Sequence, residues 1–205
     1  MGKQLDYSRL YNWLAPVYGP AMRVIPFWRG YTEAALPWLP EGDILEIGPG
    51  PGVLLATIAE THRITAGLDL SPGMLREARE QLQRQGLPVR LARGNATCIP
   101  FAGASFDAVV MTFAFSAIPD GDTAMREITR VLRPGGVFAL VDACDPGPQN
   151  RMAHWLAKAW ALFGDFMRDE AALMRTAGLT IIEQRQFGAF DSIRITVGRK
   201  PDTTA

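Results

Sequence analysis

Three glycines at alternate positions, Gly48, Gly50 and Gly52, close an apolar run, Ile44-Leu45-Glu46-Ile47, that carries a single acid. Glycine lacks Cβ, so it permits positive φ in a tight turn and lets backbone approach a ligand closely. A helix-like segment follows over 53–60. The turn therefore joins a strand to a helix, which is where a nucleotide-like ligand lies in α/β folds. The spacing is G-x-G-x-G, one residue short of the dinucleotide fingerprint G-x-G-x-x-G, and Pro49 and Pro51 fill both gaps. That departure argues against a nicotinamide dinucleotide and for a nucleoside ligand without a pyrophosphate. A tight βα connection that binds nothing is the plain alternative.

The next apolar run narrows the choice. Ile64-Thr-Ala-Gly-Leu-Asp69 ends in one acid some twenty residues downstream. The carboxyl ends of neighbouring strands face one crevice in an open α/β sheet, and a carboxylate there accepts hydrogen bonds from both hydroxyls of a ribose. Leu70 follows, placed to lie against an adenine face. Ser71-Pro72 reads as an N-cap with proline at the first helical position.

With these residues in view, the chain resembles the class I S-adenosylmethionine-dependent methyltransferases, in particular the small-molecule type that includes the ubiquinone/menaquinone C-methyltransferases. The likeness runs from about residue 43 to 141. Glu46-Ile-Gly-Pro-Gly-Pro-Gly52 is similar to the family's first motif and Leu68-Asp69-Leu70-Ser71 to its ribose-binding motif. Gly94-Asn-Ala-Thr-Cys-Ile-Pro-Phe101 is similar to its adenine-contacting segment, Phe106-Asp-Ala-Val-Val110 to its fourth strand, and Glu127-Ile-Thr-Arg-Val-Leu-Arg-Pro-Gly-Gly136 to the stretch leading into the fifth. The resemblance implies S-adenosyl-L-methionine as cofactor. Gly48, Gly50 and Gly52 would then admit its backbone, Glu46 would hold the turn and reach the amino group through water, and Asp69 would take the ribose. Leu70 would cover the adenine, with Asn95, Ala96 and Thr112 completing the contacts. Asn95 stands where the family commonly has an acid; its amide oxygen accepts the same bond without charge.

Composition is consistent with that implication. The 205 residues suit one domain with a substantial core; 48% are hydrophobic and the mean hydropathy is +0.03. Twenty-one basic residues balance twenty-one acidic ones, so no overall field favours a nucleic-acid partner. Cys98 and Cys144 and the two histidines have no metal-ligand spacing, and reduced thiols in a cytoplasmic protein are the simplest account. The first residues lack the apolar stretch of a secretory signal, and no run approaches a membrane span.

The expected fold is α/β: a doubly wound, Rossmann-like seven-stranded sheet with an N-terminal helical cap. By family likeness its order is 3-2-1-4-5-7-6 with strand seven antiparallel. Strands are expected over 43–47, 64–69, 89–92, 107–111, 137–141, 180–186 and 192–198, and helices near 53–60, 73–85, 123–132 and 169–177. Pro134-Gly135-Gly136 is expected to be the turn that starts the fifth strand. One domain is expected to comprise a helical cap (1–40), a cofactor-binding core (41–142), a lid or acceptor segment (143–168) and a C-terminal helix with two strands (169–199).

The acceptor side is less defined. Residues 5–39 hold all four tyrosines; most of these aromatics are expected to pack the cap onto the sheet, with Tyr11 and Tyr18 over the cofactor as the catalytic-side exceptions. Met152, Trp155, Leu156, Ala159 and Phe163 form an apolar stripe at helical spacing, which suits core, a lid over the acceptor, or a bilayer-lying surface. Peripheral membrane contact is thus permitted without being demanded. After the fourth strand, relatives often show paired histidines or an Arg-Asn pair; this chain has Ser116-Ala117, leaving an apolar wall of Phe113, Phe115 and Ile118. His154 is the candidate base and His62 a surface residue. These features imply methyl transfer to a small apolar or amphipathic acceptor, with a quinone-type ring or a phospholipid amine headgroup leading. A module that binds S-adenosylmethionine without turnover is the alternative.

Overall fold

The computed structural model describes residues 26–61, 64–147 and 168–202. Tyr7, Tyr11, Tyr18, His62, His154 and the stripe from Met152 to Phe163 lie outside the described residues.

Near-continuous apolar runs build a seven-stranded sheet whose central strands are buried on both faces. In chain order the elements are α1 (Pro26–Glu33), β1 (Asp43–Ile47), α2 (Val53–Ala59), β2 (Ile64–Asp69), α3 (Pro72–Arg84), β3 (Arg90–Arg93), β4 (Phe106–Thr112), α4 (Gly121–Val131), β5 (Leu132–Ala143), α5 (Glu170–Thr176), β6 (Thr180–Phe187) and β7 (Ile193–Arg199). The order is β3-β2-β1-β4-β5-β7-β6; β1 to β5 are parallel and β7 runs antiparallel between β5 and β6, as expected.

Each central strand supplies both cores. Leu45, Ile47, Val109, Met111, Phe138 and Leu140 face α4 and α5. Ile44, Ala108, Val110, Ala139 and Val141 face α2 and the segment after α1, including Ala35. Glu46 shares the second face with Ile44, so the period that buries the sheet also buries this acid. Ser71 caps α3 through Met74 N–H (3.2 Å) with Pro72 in the first turn, as its sequence predicts.

The fifth strand departs from expectation. It begins at Leu132, and Pro134-Gly135-Gly136 is an irregularity inside it: Phe106 pairs with Leu132 but Ala108 with Val137. Beside this irregularity the Arg133 guanidinium forks between Asp43 and Asp107 at the sheet's lower edge.

Candidate functional site

The upper ends of β1, β2 and β4 open onto one cleft, lined by residues 46–51, 68–70, 94–96 and 111–114 among others. All the expected cofactor residues border it except Gly52.

The glycine turn owes its shape to three positive φ angles, +70° at Gly48, +52° at Gly50 and +78° at Gly52, but each glycine answers a different demand. A Cβ on Gly48 would stand 2.6 Å from the Ala114 methyl, across the cleft floor. A Cβ on Gly50 would stand in open space, and its N–H donates to Asp69 Oδ2 (3.2 Å). Gly52 stands apart from the other two. It caps α2, where a Cβ would meet Ala78 of α3 at 3.0 Å, so it serves helix packing and does not border the cleft.

The two acids are held differently. Both Asp69 oxygens accept backbone N–H groups, Oδ2 from Gly50 and Oδ1 from Ser71 (2.8 Å), so the carboxylate ties the glycine turn to the next helix. Burial pushes its carboxyl up, opposed by the N–H groups of Ser71, Gly50 and Leu70. An ionised carboxylate has about four acceptor sites, leaving room for a ribose hydroxyl. Glu46 is 1% exposed, and its Oε2 accepts no hydrogen bond among the described residues. Burial first, and the Asp69 charge second, push its carboxyl up to about 8. A buried carboxyl with a free oxygen on a cleft wall is complementary to a cationic group.

Leu70 is 43% exposed, an apolar surface presented to the cleft. Asn95 Oδ1 accepts Thr97 N–H (3.0 Å) and shapes its own turn, which the sequence reading did not foresee. The turn is strapped to α4 because Glu127 accepts Ile99 N–H (2.8 Å) and Arg130 donates to the carbonyls of Ile99 and Phe101 (2.9 Å each).

Opposite stands the loop after β4. Phe113 adopts φ +51°, a left-handed conformation rare for a bulky side chain. Phe113, Ala114, Ala117 and Ile118 border the cleft. Phe115 corrects the expected wall: it is 1% exposed and packs in the core beneath the loop. Ser116 is also turned inward, with its N–H and Oγ–H both donating to Asp142 (2.9 and 3.0 Å). Sequence reasoning missed Asp142, although a lone acid ending an apolar strand is the signal that found Asp69. It also missed Arg29 and Thr32 of α1 and Met74 of α3 on the lining. A proline-broken helical segment carries no mark of which residues reach a cleft.

Comparison with known proteins agrees with this geometry. Residues 45–140 match the family model described as a methyltransferase domain. Demethylmenaquinone methyltransferase of Thermus thermophilus is 32% identical over 145 residues, covering 67% of this chain and 66% of that protein. The chain belongs to the S-adenosylmethionine-dependent methyltransferases. Demethylmenaquinone methyltransferase of Tropheryma whipplei is 30% identical over 147 residues, covering 69% of this chain and 60% of that protein. The chain thus spans about three fifths of the length of such relatives. A solved SAM-dependent methyltransferase of Thermotoga maritima superposes with a TM-score of 0.74 at 21% identity over 94% of this chain and 99% of that one, which speaks to the fold. S-adenosylmethionine, the cofactor this family implies, fits the lining: an orphaned acid oxygen at Glu46 for its amine, spare acceptor sites at Asp69 for its ribose, and open space at Gly50 for its backbone.

Proposed function

We propose that this methyltransferase transfers a methyl group from S-adenosylmethionine to a planar, apolar acceptor of the quinone-type ring class. The observation that carries the proposal is one cleft with two unlike walls: acids and glycine backbone on one side, and Phe113, Ala114, Ala117 and Ile118 on the other. When bound, the cofactor supplies an activated sulfonium methyl, so the reaction is an in-line displacement at carbon.

The chain's own task is then positioning. Glu46 and Asp69 hold the two ends of the cofactor, Leu70 and Ala96 enclose its base, and Thr112 stands at the junction of the two walls. The apolar loop aligns the acceptor and excludes water from the line of attack, a contribution of up to about 7–11 kcal/mol where reacting groups are well oriented. The activity of the demethylmenaquinone relatives supports a ring acceptor; a phospholipid amine headgroup has no comparable support. Among the described residues no helix is long and apolar enough to cross a membrane, so a lipid-tailed ring would be met by peripheral contact at the bilayer surface. Catalytic roles for Tyr11, Tyr18 and His154 lie outside the described residues.

One observation favours the alternative of a binding module without turnover: no titratable side chain stands among the described lining residues 111–114, 117 and 118. The test separates the two readings. Protein is incubated with methyl-labelled S-adenosylmethionine and a 2-prenyl-1,4-naphthoquinol, then partitioned between organic and aqueous phases. Enzyme-dependent label on the organic-phase ring is the expected result. Cofactor binding by calorimetry with no label in this ring, or in a fractionated cell extract, would establish the binding module instead.

A further inference from the structure

The acceptor wall is six residues long and has almost no structure of its own. Its backbone is closed by Phe113 N–H to Val141 O (2.8 Å) and by one short 3-10 turn, in which Ala117 and Ile118 donate to Ala114 and Phe115 (3.3 and 3.0 Å). A single turn of this kind does not fix itself in water, because nucleating a turn orders several dihedrals for one bond. Phe113 adds strain: a left-handed non-glycine residue costs about 1–3 kcal/mol and persists only where the surroundings over-determine it.

Asp142 is the element that does so. It ends β5, is 2% exposed, and receives Ser116 N–H, Ser116 Oγ–H and Ala143 N–H (2.8 Å) on its two oxygens. Charge-assisted bonds of this kind are about twice as strong as neutral ones, and a buried carboxylate without them would be expelled. By drawing Ser116 down into the sheet, Asp142 turns the residues on either side, Phe113–Ala114 and Ala117–Ile118, up into the cleft. At the loop's far end Arg168 donates to Pro119 O (2.7 Å) and lays its guanidinium 5.8 Å over the Phe115 ring. Ser116 bonds to Asp142 within the loop and β5, on the side of the cleft away from the glycine turn and the Asn95 turn.

We infer that Ser116 and Asp142 are positioning residues that set the acceptor wall, so that acceptor recognition in this chain is decided by a buried Ser–Asp pair beneath the wall rather than by a polar side chain upon it. The inference rests on the methyl-transfer reading for its acceptor and on the structure alone for its anchor.

The experiment compares wild type with Ser116→Ala, which keeps the backbone bond and loses the hydroxyl bond, and with Asp142→Asn, which offers one acceptor oxygen where two are used. Three quantities are read: S-adenosylmethionine Kd by calorimetry, amide hydrogen exchange across 113–118, and KM and kcat for the 2-prenyl-1,4-naphthoquinol. Expected are a cofactor Kd within twofold of wild type in both variants and loop exchange about tenfold faster with α4 unchanged. KM for the naphthoquinol should rise about fivefold in Ser116→Ala and more in Asp142→Asn. If Asp142→Asn fails to fold, Ser116→Ala decides. Unchanged loop exchange, or cofactor Kd and KM weakening together, overturns the inference. If wild type leaves the naphthoquinol unmethylated, the ring-acceptor proposal falls. Faster loop exchange with intact cofactor Kd then still upholds the anchor, and unchanged exchange still overturns it.

Discussion

The two walls of the cleft reach similar backbone conformations by opposite means. On the cofactor wall, Gly48 and Gly50 take positive φ where glycine meets no steric penalty, and the turn is pinned by an N–H to Asp69. On the acceptor wall, Phe113 takes a positive φ of +51° that its Cβ resists, and the loop is held by contacts from elsewhere in the chain, Asp142 beneath and Arg168 at its end. The first wall is shaped by its local sequence and the second by tertiary structure imposed upon it. A wall of the second kind is open to reshaping by a single buried substitution beneath it.

The largest effect should come where the walls touch. Gly48→Ala puts a methyl 2.6 Å from Ala114 Cβ and an L side chain at φ +70°, together about 2–4 kcal/mol of destabilisation. Denaturation should show that loss, with cofactor affinity falling about a hundredfold. Adding Ala114→Gly removes the clash and leaves the φ strain, so about half of the loss should return. No recovery in the double variant would mean that the walls are not in contact through this pair.

Glu46→Gln tests the polar wall by its charge. The Glu46 carboxyl is raised to about 8 by its burial first and Asp69 second. Between its ordinary value near 4.5 and 8 the folded chain therefore holds a proton that the unfolded chain has released. Stability from this group is full below pH 4.5 and is lost as pH rises through about 8. Glu46→Gln should flatten that slope and be the more stable protein at pH 9, on the order of a few kcal/mol. Cofactor binding runs the other way, since a cationic amine favours the ionised acid. Wild-type Kd should tighten by up to about tenfold per unit from pH 6 to 7.5, with near one proton released. Calorimetry in two buffers of different ionisation enthalpy reads that proton directly; equal release from wild type and Glu46→Gln would remove Glu46 from the site.

The same contrast explains what the sequence could reveal. The strands, the parallel core and most of the cleft lining were legible because their causes are local: apolar runs, a glycine turn, a capping Ser71, and acids at strand ends; the strand order came from the family resemblance. Gly52 shows what sequence leaves out: a positive φ at a helix cap and one beside a ligand look identical there, and the approach of Ala78 comes from another helix. Phe115 misled because in a loop without periodicity nothing says which aromatic turns inward; the bonds from Ser116 to Asp142, 26 residues away, make that choice. The Pro-Gly-Gly stretch read as a turn is an irregularity inside β5, beside Arg133, which pairs with acids on two other strands. Each miss has a partner distant in the chain.

The smallest effect is the most discriminating. Gly50→Ala introduces a methyl into open space, so its only penalty is φ +52°, about 1 kcal/mol. Phe113→Gly does the reverse at nearly the same φ. It relieves about 1 kcal/mol of backbone strain while removing a partly exposed ring from the acceptor wall and adding chain freedom to the unfolded state. If strain on this loop is real and externally held, Gly50→Ala should lower the melting temperature by a few degrees. Phe113→Gly should cost less than an ordinary Phe-to-small change, because relieved strain offsets part of the ring's lost packing against the core, and should weaken acceptor affinity at unchanged cofactor Kd. A Phe113→Gly protein destabilised as much as an ordinary Phe-to-small change, about 3 kcal/mol or more, would show that the ring is a packing residue whose backbone is at ease. The difference between the two walls would then lie in polarity alone.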